Sequence, residues 1–174
     1  MSLKYLTAYP DSLQTQVHDL IAENRLGELL LKKYSNTHSI RNDKALFDYV
    51  MTLKNEFLRN TDPLSKVAFD SKLKVIQHAL GTHTTVSRVQ GSKLKSKREI
   101  RIATLFKDVP LELLKMIAVH ELAHIKEKNH DKAFYKLCTY MEPNYHQYEL
   151  DLRLYLTYQD LPKAGGEADL LWTA

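Results

Sequence analysis

Hydrophobic positions recur every three or four residues along the first sixty positions, and the pattern changes after that. Leu13, Val17, Leu20 and Ile21 share one face of a helix opened by Pro10-Asp11-Ser12. Gly27 predicts a break before the apolar run Leu29-Leu30-Leu31, and Ser35-Asn36-Thr37-His38 reads as a loop. Asn42 or Asp43 caps a longer helix carrying Leu46, Phe47, Val50, Leu53, Phe57 and Leu58 at helical spacing. His18 and His38 read as solvated or capping residues.

Thr61-Asp62-Pro63 stops that helix. Lys66 to Asp70 alternates and predicts a strand; Leu73 to Leu80 fits helix or strand, with a short helix or turn ended by Gly81 preferred. Thr82 to Val89 is rich in β-branched residues and predicts a second strand. A basic connection, residues 91–97, leads to the strictly alternating Arg98 to Ala103, so a small antiparallel sheet is expected. Pro110 then opens a helix that is apolar nearly all round from Leu111 to Val119, which predicts burial in the core. Asp131 caps a further helix, Lys132 to Met141, and a last one runs from Tyr148 to Tyr158. The tail from Gly165-Gly166-Glu167 onward is expected to fray. The class is α+β: N-terminal helices over 1–62, a core over 63–160 and a tail over 161–174.

Length and composition narrow the class further. The chain has 174 residues, 44% apolar and 26% charged, the balance of an ordinary soluble globular protein. No apolar run is long enough to span a membrane, and the N-terminus lacks the pattern of a signal peptide. The single cysteine, Cys138, cannot form an intramolecular disulfide, which predicts a cytoplasmic setting, and its place in an apolar pattern predicts burial. The net charge of +4 is unevenly spread: residues 1–62 balance, residues 63–107 carry a net +8, and residues 108–174 a net −4.

The chemistry concentrates in Val119-His120-Glu121-Leu122-Ala123-His124, with His130 six residues on. Residues four apart share a helix face, so His120 and His124 can point their imidazoles at one cation. Glu121 is rotated about a quarter turn away, where it can reach water without ligating the metal. A continuous helix would turn His130 away, so the chain must bend first; Asn129 tolerates a left-handed helix end. With 8 His in the chain, chance yields about 0.02 such H-E-x-x-H matches. Three imidazoles and one open position suit zinc (Zn2+), though other divalent first-row metals also bind such ligands.

These residues resemble the YgjP-like metallopeptidase family of zincin-type proteins. The resemblance runs over roughly residues 64–157, through residues 86–92, Arg98 to Ala103, residues 109–114 and above all His120 to Phe134. Residues 88–92, Arg-Val-Gln-Gly-Ser, depart from the Arg-Trp-Gly-Ser-Cys-like segment of many relatives. The histidine spacing equals that of the metzincins, but Glu127 stands where they carry glycine. The resemblance implies a zincin-like fold, with His120, His124 and His130 as metal ligands and Glu121 as the catalytic acid/base.

Two substrate classes compete. Motif and resemblance favour peptide-bond hydrolysis, with metal-activated water and Glu121 as general base. The excess positive charge before the metal helix suits phosphates instead, and some members of the family carry a uridine-triphosphate pyrophosphatase label. Candidate substrate contacts are Arg88, Lys93, Lys95, Lys97, Arg98, Arg101, Tyr145 and His146, with Tyr148 nearby. A non-enzymatic nucleic-acid-binding role for the basic hairpin is a third reading. No membrane partner is expected, and the sequence leaves the oligomeric state open.

Overall fold

The computed structural model describes residues 3–73, 98–162 and 170–172. Six helices and two strands lie within these residues: α1 (Asp11–Ala22), α2 (Leu26–Lys33), α3 (Asp43–Phe57), β1 (Leu64–Asp70), β2 (Arg98–Ala103), α4 (Leu111–Ala123), α5 (Lys132–Met141) and α6 (Tyr145–Gln159). One turn of 3-10 helix, Thr104–Asp108, joins β2 to α4. The α+β class is as expected.

Local chemistry sets the first boundaries. The break after α1 falls at Asn24 rather than Gly27. Asn24 takes a left-handed conformation (φ 55°), and the N–H groups of Asn24 and Arg25 donate to the carbonyls of Ile21 and Leu20 at 3.0 and 2.8 Å. That pair of bonds closes the helix end, and asparagine tolerates the backbone better than most residues. Gly27 sits inside α2 for a packing reason. A β-carbon there would lie 2.7 Å from Cε2 of Tyr158, so glycine lets α6 approach. At α3, Asn42 accepts from the N–H of Ala45 at 2.9 Å, while Asp43 accepts from the N–H of Phe69 at 2.9 Å and hooks the helix to β1.

The two strands pair in parallel, from Leu64 opposite Arg98 to Asp70 opposite Ala103, with an irregularity between Leu64 and Lys66. This corrects the antiparallel expectation for the described pair. Alternation reveals a strand but not its direction, and the long connection after Asp70 suffices for a parallel return. The expected strand Thr82 to Val89 and the basic connection lie outside the described residues. Val67 and Ala68 of β1 and Ile100, Ile102 and Ala103 of β2 are buried.

Helix α4 occupies the centre. It packs against α6, α5, β2 and α3, and Leu113, Leu114, Met116, Ile117, Ala118, Val119, His120, Leu122 and Ala123 are all buried. One continuous cluster joins these to Leu26, Leu30, Leu46 and Val50 of the N-terminal helices, so the first sixty residues share the core. Asp151 of α6 is fully buried and accepts from Lys33 Nζ (2.7 Å), the Tyr34 hydroxyl (2.5 Å) and Gln147 (3.0 Å), which ties α2 to α6. A carboxylate buried without such donors would be costly. The tail does not fray at Trp172: this ring is buried against Tyr34 and Tyr155, and its indole N–H donates to the carbonyl of Tyr34 at 2.9 Å. A large aromatic with a satisfied donor outweighs the ordering entropy of a chain end.

His38 is buried rather than solvated. Its Nδ1 accepts from the N–H of Ile40 at 3.0 Å, so the proton must be on Nε2, which donates to the carbonyl of Phe106 at 2.7 Å. The ring thereby ties the loop before α3 to the 3-10 turn that feeds α4. Burial holds its pKa below the ordinary histidine value. Its contribution is therefore complete above the unfolded pKa of about 6.5 and is lost as the pH falls below it. A His38→Gln variant is expected to be about 1–2 kcal/mol less stable at pH 7.5. That gap should narrow by pH 5.5, as urea unfolding at the two pH values would measure.

Candidate metal centre

Pro110 begins α4 where its missing N–H costs nothing, and the apolar surface from Leu111 onward carries the helix through the core. His120 emerges from that buried stretch and is 3% exposed. His124 is the C-cap, at φ −66° and ψ −11°. The chain then tightens, with Ile125 and Lys126 donating to the carbonyls of Leu122 and Ala123 and Glu127 donating to that of Ala123. Asn129 does not adopt the left-handed conformation expected of it: among the described residues the only non-glycine with positive φ is Asn24. The reversal is made by this tight turn and by Asp131, which caps α5 by accepting from the N–H of Phe134 at 3.0 Å. His130 is the residue before that cap, and is swung back onto His120 and His124.

The three Nε2 atoms form a nearly equilateral triangle. His120 to His124 is 3.2 Å, and His130 lies 3.1 Å from each. Nitrogen ligands about 2.0–2.1 Å from a tetrahedral cation are about 3.3 Å apart, so the triangle has the size such a cation needs. The proton positions agree. His124 Nδ1 lies 2.8 Å from the carbonyl of Glu127, which can only accept, so Nδ1 carries the proton and Nε2 presents a lone pair to the triangle. Lone pairs directed at one centre attract a cation, and these three residues form a group able to hold one.

Aromatic packing fixes the rings. Phe134, fully buried, touches all three, at centroid distances of 5.0 Å to His120, 4.5 Å to His124 and 4.8 Å to His130. Behind His120, the buried Tyr145 hydroxyl lies 2.7 Å from Nδ1, on the side of the ring away from the triangle. It also bonds Cys138, whose thiol is buried and pushed up to about 12. Among the described residues the Glu121 carboxylate makes no hydrogen bond or ion pair, although it is half-buried; crowding by its neighbours raises it to about 7.

The other residues expected at the site separate into groups. Tyr145 stands behind His120 because α6 starts at residue 145, three positions before the expected Tyr148. His146 is exposed, with its ring 5.5 Å from that of Tyr135. Tyr148 packs edge-on against Tyr34 at 6.5 Å. Arg98 donates to Asp62 and to the carbonyl of Ile125, both at 3.0 Å, and so anchors β2 to the turn after His124. Arg101 pairs with Asp70 at 3.0 Å and Glu99 at 3.5 Å along the sheet. Arg88, Lys93, Lys95 and Lys97 lie outside the described residues. Phe134 entered the sequence reading only as the last residue of the family-like segment, with no role given, and Tyr135 was not singled out; the signal for both was the cap at Asp131, which places them in the first turn of α5 beside His130.

A family model described as YgjP-like, metallopeptidase domain, matches residues 64–155. The chain belongs to this family. A relative from Escherichia coli (strain K12), named UTP pyrophosphatase, is 57% identical over 160 residues, covering 92% of this chain and 96% of its own. No solved structure matches the chain. The family and this relative make the protein a metal-dependent hydrolase. Its YgjP-like domain begins at the first residue of β1 and ends within α6, so α1 to α3 precede it. No described helix is long and apolar enough to cross a membrane.

Because Phe134 supports all three rings, Phe134→Ala is expected to cost about 3–5 kcal/mol, and Phe134→Leu clearly less. Denaturant unfolding of the metal-free protein would measure both. Equal, small losses would mean that the rings do not rest on this side chain.

Proposed function

We propose that this protein is a zinc-dependent nucleoside-triphosphate pyrophosphatase, cleaving the triphosphate to a monophosphate and pyrophosphate. The observation that carries the reading is its 57% identity, over 92% of the chain, to the protein named UTP pyrophosphatase. The net charge of +8 over residues 63–107, just ahead of the metal-type helix in the sequence, supports a phosphate-rich substrate. Peptide-bond hydrolysis is the second reading, favoured by the metallopeptidase description of the family.

In this proposal His120, His124 and His130 would hold the cation through their Nε2 atoms. When bound, the metal supplies Lewis acidity and lowers the pKa of its water to about 7. Glu121 takes a proton from the attacking water, whose oxygen forms the new bond to the α-phosphorus. The bond from that phosphorus to the bridging oxygen breaks, and pyrophosphate leaves with the proton. A carboxyl raised to about 7 by burial is matched to both taking and returning a proton near neutrality. Tyr145 is a positioning residue: a metal-ligating Nε2 leaves the proton on Nδ1 of His120, and the phenol oxygen accepts it. Its own proton is raised far above the ordinary tyrosine value by burial, so the hydroxyl stays neutral in this role.

Metal-loaded protein incubated with a nucleoside-triphosphate panel and, in parallel, with a denatured-protein digest separates the readings. Pyrophosphate release is expected, reduced about 100- to 10 000-fold in Glu121→Gln while metal content is retained. Peptide fragments without pyrophosphate would replace this reading with the second. Tyr145→Phe keeps the packing and removes the acceptor. It is expected to weaken zinc affinity about 10- to 100-fold in a chelator competition, whereas unchanged affinity would remove Tyr145 from the ligand shell.

A further inference from the structure

His130, Tyr135 and His146 form a row of rings leading outward from the metal cluster. Tyr135 is 6.4 Å from His130 at an interplanar angle of 33°, and 5.5 Å from His146 at 37°. The inward contacts of the same rings are steeper: Tyr135 meets Phe134 at 86° and Tyr145 at 53°, and His146 meets Tyr145 at 77°. The buried Phe134 and Tyr145 thus brace the row from below and leave neighbouring faces turned in similar directions. Exposure rises along it, from half-buried Tyr135 to exposed His146. Core packing alone does not call for a histidine ring on the outer, solvated end of such a row.

Two opposite charges that act on Tyr135 come as a pair. Glu149 and Arg153 both act on its hydroxyl and pair with each other at 2.9 Å, and Arg153 also donates to the carbonyl of Tyr5. What remains is a π surface, supplied by two helices, flanking a site proposed to act on a phosphate ester. A flat aromatic ligand is the partner that such a surface binds, because stacking needs only a face.

We propose that Tyr135 and His146 form the base-stacking shelf of the substrate site and hold the nucleobase while the phosphates lie at the histidine cluster. This rests on the nucleotide reading above. Stacking is tolerant of base identity, so the shelf contributes affinity for the nucleoside end and leaves the choice among bases to other contacts.

The test compares KM and kcat for the triphosphate turned over best by wild type, in His146→Ala, Tyr135→Ala and Tyr135→Phe. Loss of a stacked base corresponds to about 5- to 150-fold in binding. KM is expected to rise by that order in the two alanine variants, with a smaller change in kcat, and Tyr135→Phe, which keeps the ring, should restore the wild-type KM. Inhibition by inorganic triphosphate, which has no base, should be the same in wild type and variants. Unchanged KM in His146→Ala and Tyr135→Ala, or equal weakening of inorganic triphosphate, would overturn the shelf. Should wild type turn over no nucleotide, the nucleotide reading fails by itself. The shelf is then decided by saturation-transfer NMR with uridine monophosphate: a base signal lost in Tyr135→Ala retains it, and no signal with wild type removes it.

Discussion

Three imidazole nitrogens lie within 3.2 Å of one another, and most of the structure around them serves that arrangement. One ring has a visible reason to keep the proton on Nδ1, since Glu127 offers His124 a carbonyl, while the Tyr145 hydroxyl beside His120 serves either as acceptor or as donor. Nitrogen lone pairs crowded in this way repel unless a cation lies among them. A cation bound here would therefore be coupled to the local fold, because it would turn a repulsive cluster into a bonded one. The three imidazoles come from two separate pieces of backbone, so a cation held by them would also tie the end of α4 to the start of α5.

Rigidity at this site comes from burial and not from the number of polar contacts. Helix α4 is buried along most of its length, so the direction in which His120 leaves it is set by the core. Phe134 packs against all three rings at once, which turns three separate rotamer choices into a single joint one. Exposed ion pairs such as Lys44 with Asp48 contribute little beside this. The buried network around Asp151 and the neutral His38 act at a distance from the metal centre. They secure α2 to α6, and the loop before α3 to the turn that delivers α4.

Glu121 stands apart from this pattern of satisfied groups. It is a carboxyl with no hydrogen bond or ion pair among the described residues, and its burial disfavours the charged form. Such a group reduces the stability of the metal-free protein and suits proton transfer, a conflict between folding and function that is found at working sites. Arg98 links β2 to the turn carrying His124.

Local rules made much of the protein legible from sequence. The histidine spacing, the all-round apolar helix, the cap at Asp131 and the limits of β2 each depend on residues a few positions apart, where period and capping chemistry act directly. Direction and approach are different. Alternation in β1 and β2 could not reveal that they run parallel, because direction depends on how the chain returns. Gly27 suggested a break and is instead a clearance for Tyr158, which lies 131 positions later. His38 read as solvated or capping, the tail around Trp172 as frayed and Tyr145 as a candidate substrate contact, and only the fold placed Phe106, Tyr34 and His120 against them. The sequence by itself determined which atoms can bind a cation. Tertiary structure alone decided which faces of those rings point inward and what supports them, since packing partners are chosen by proximity in space and not along the chain.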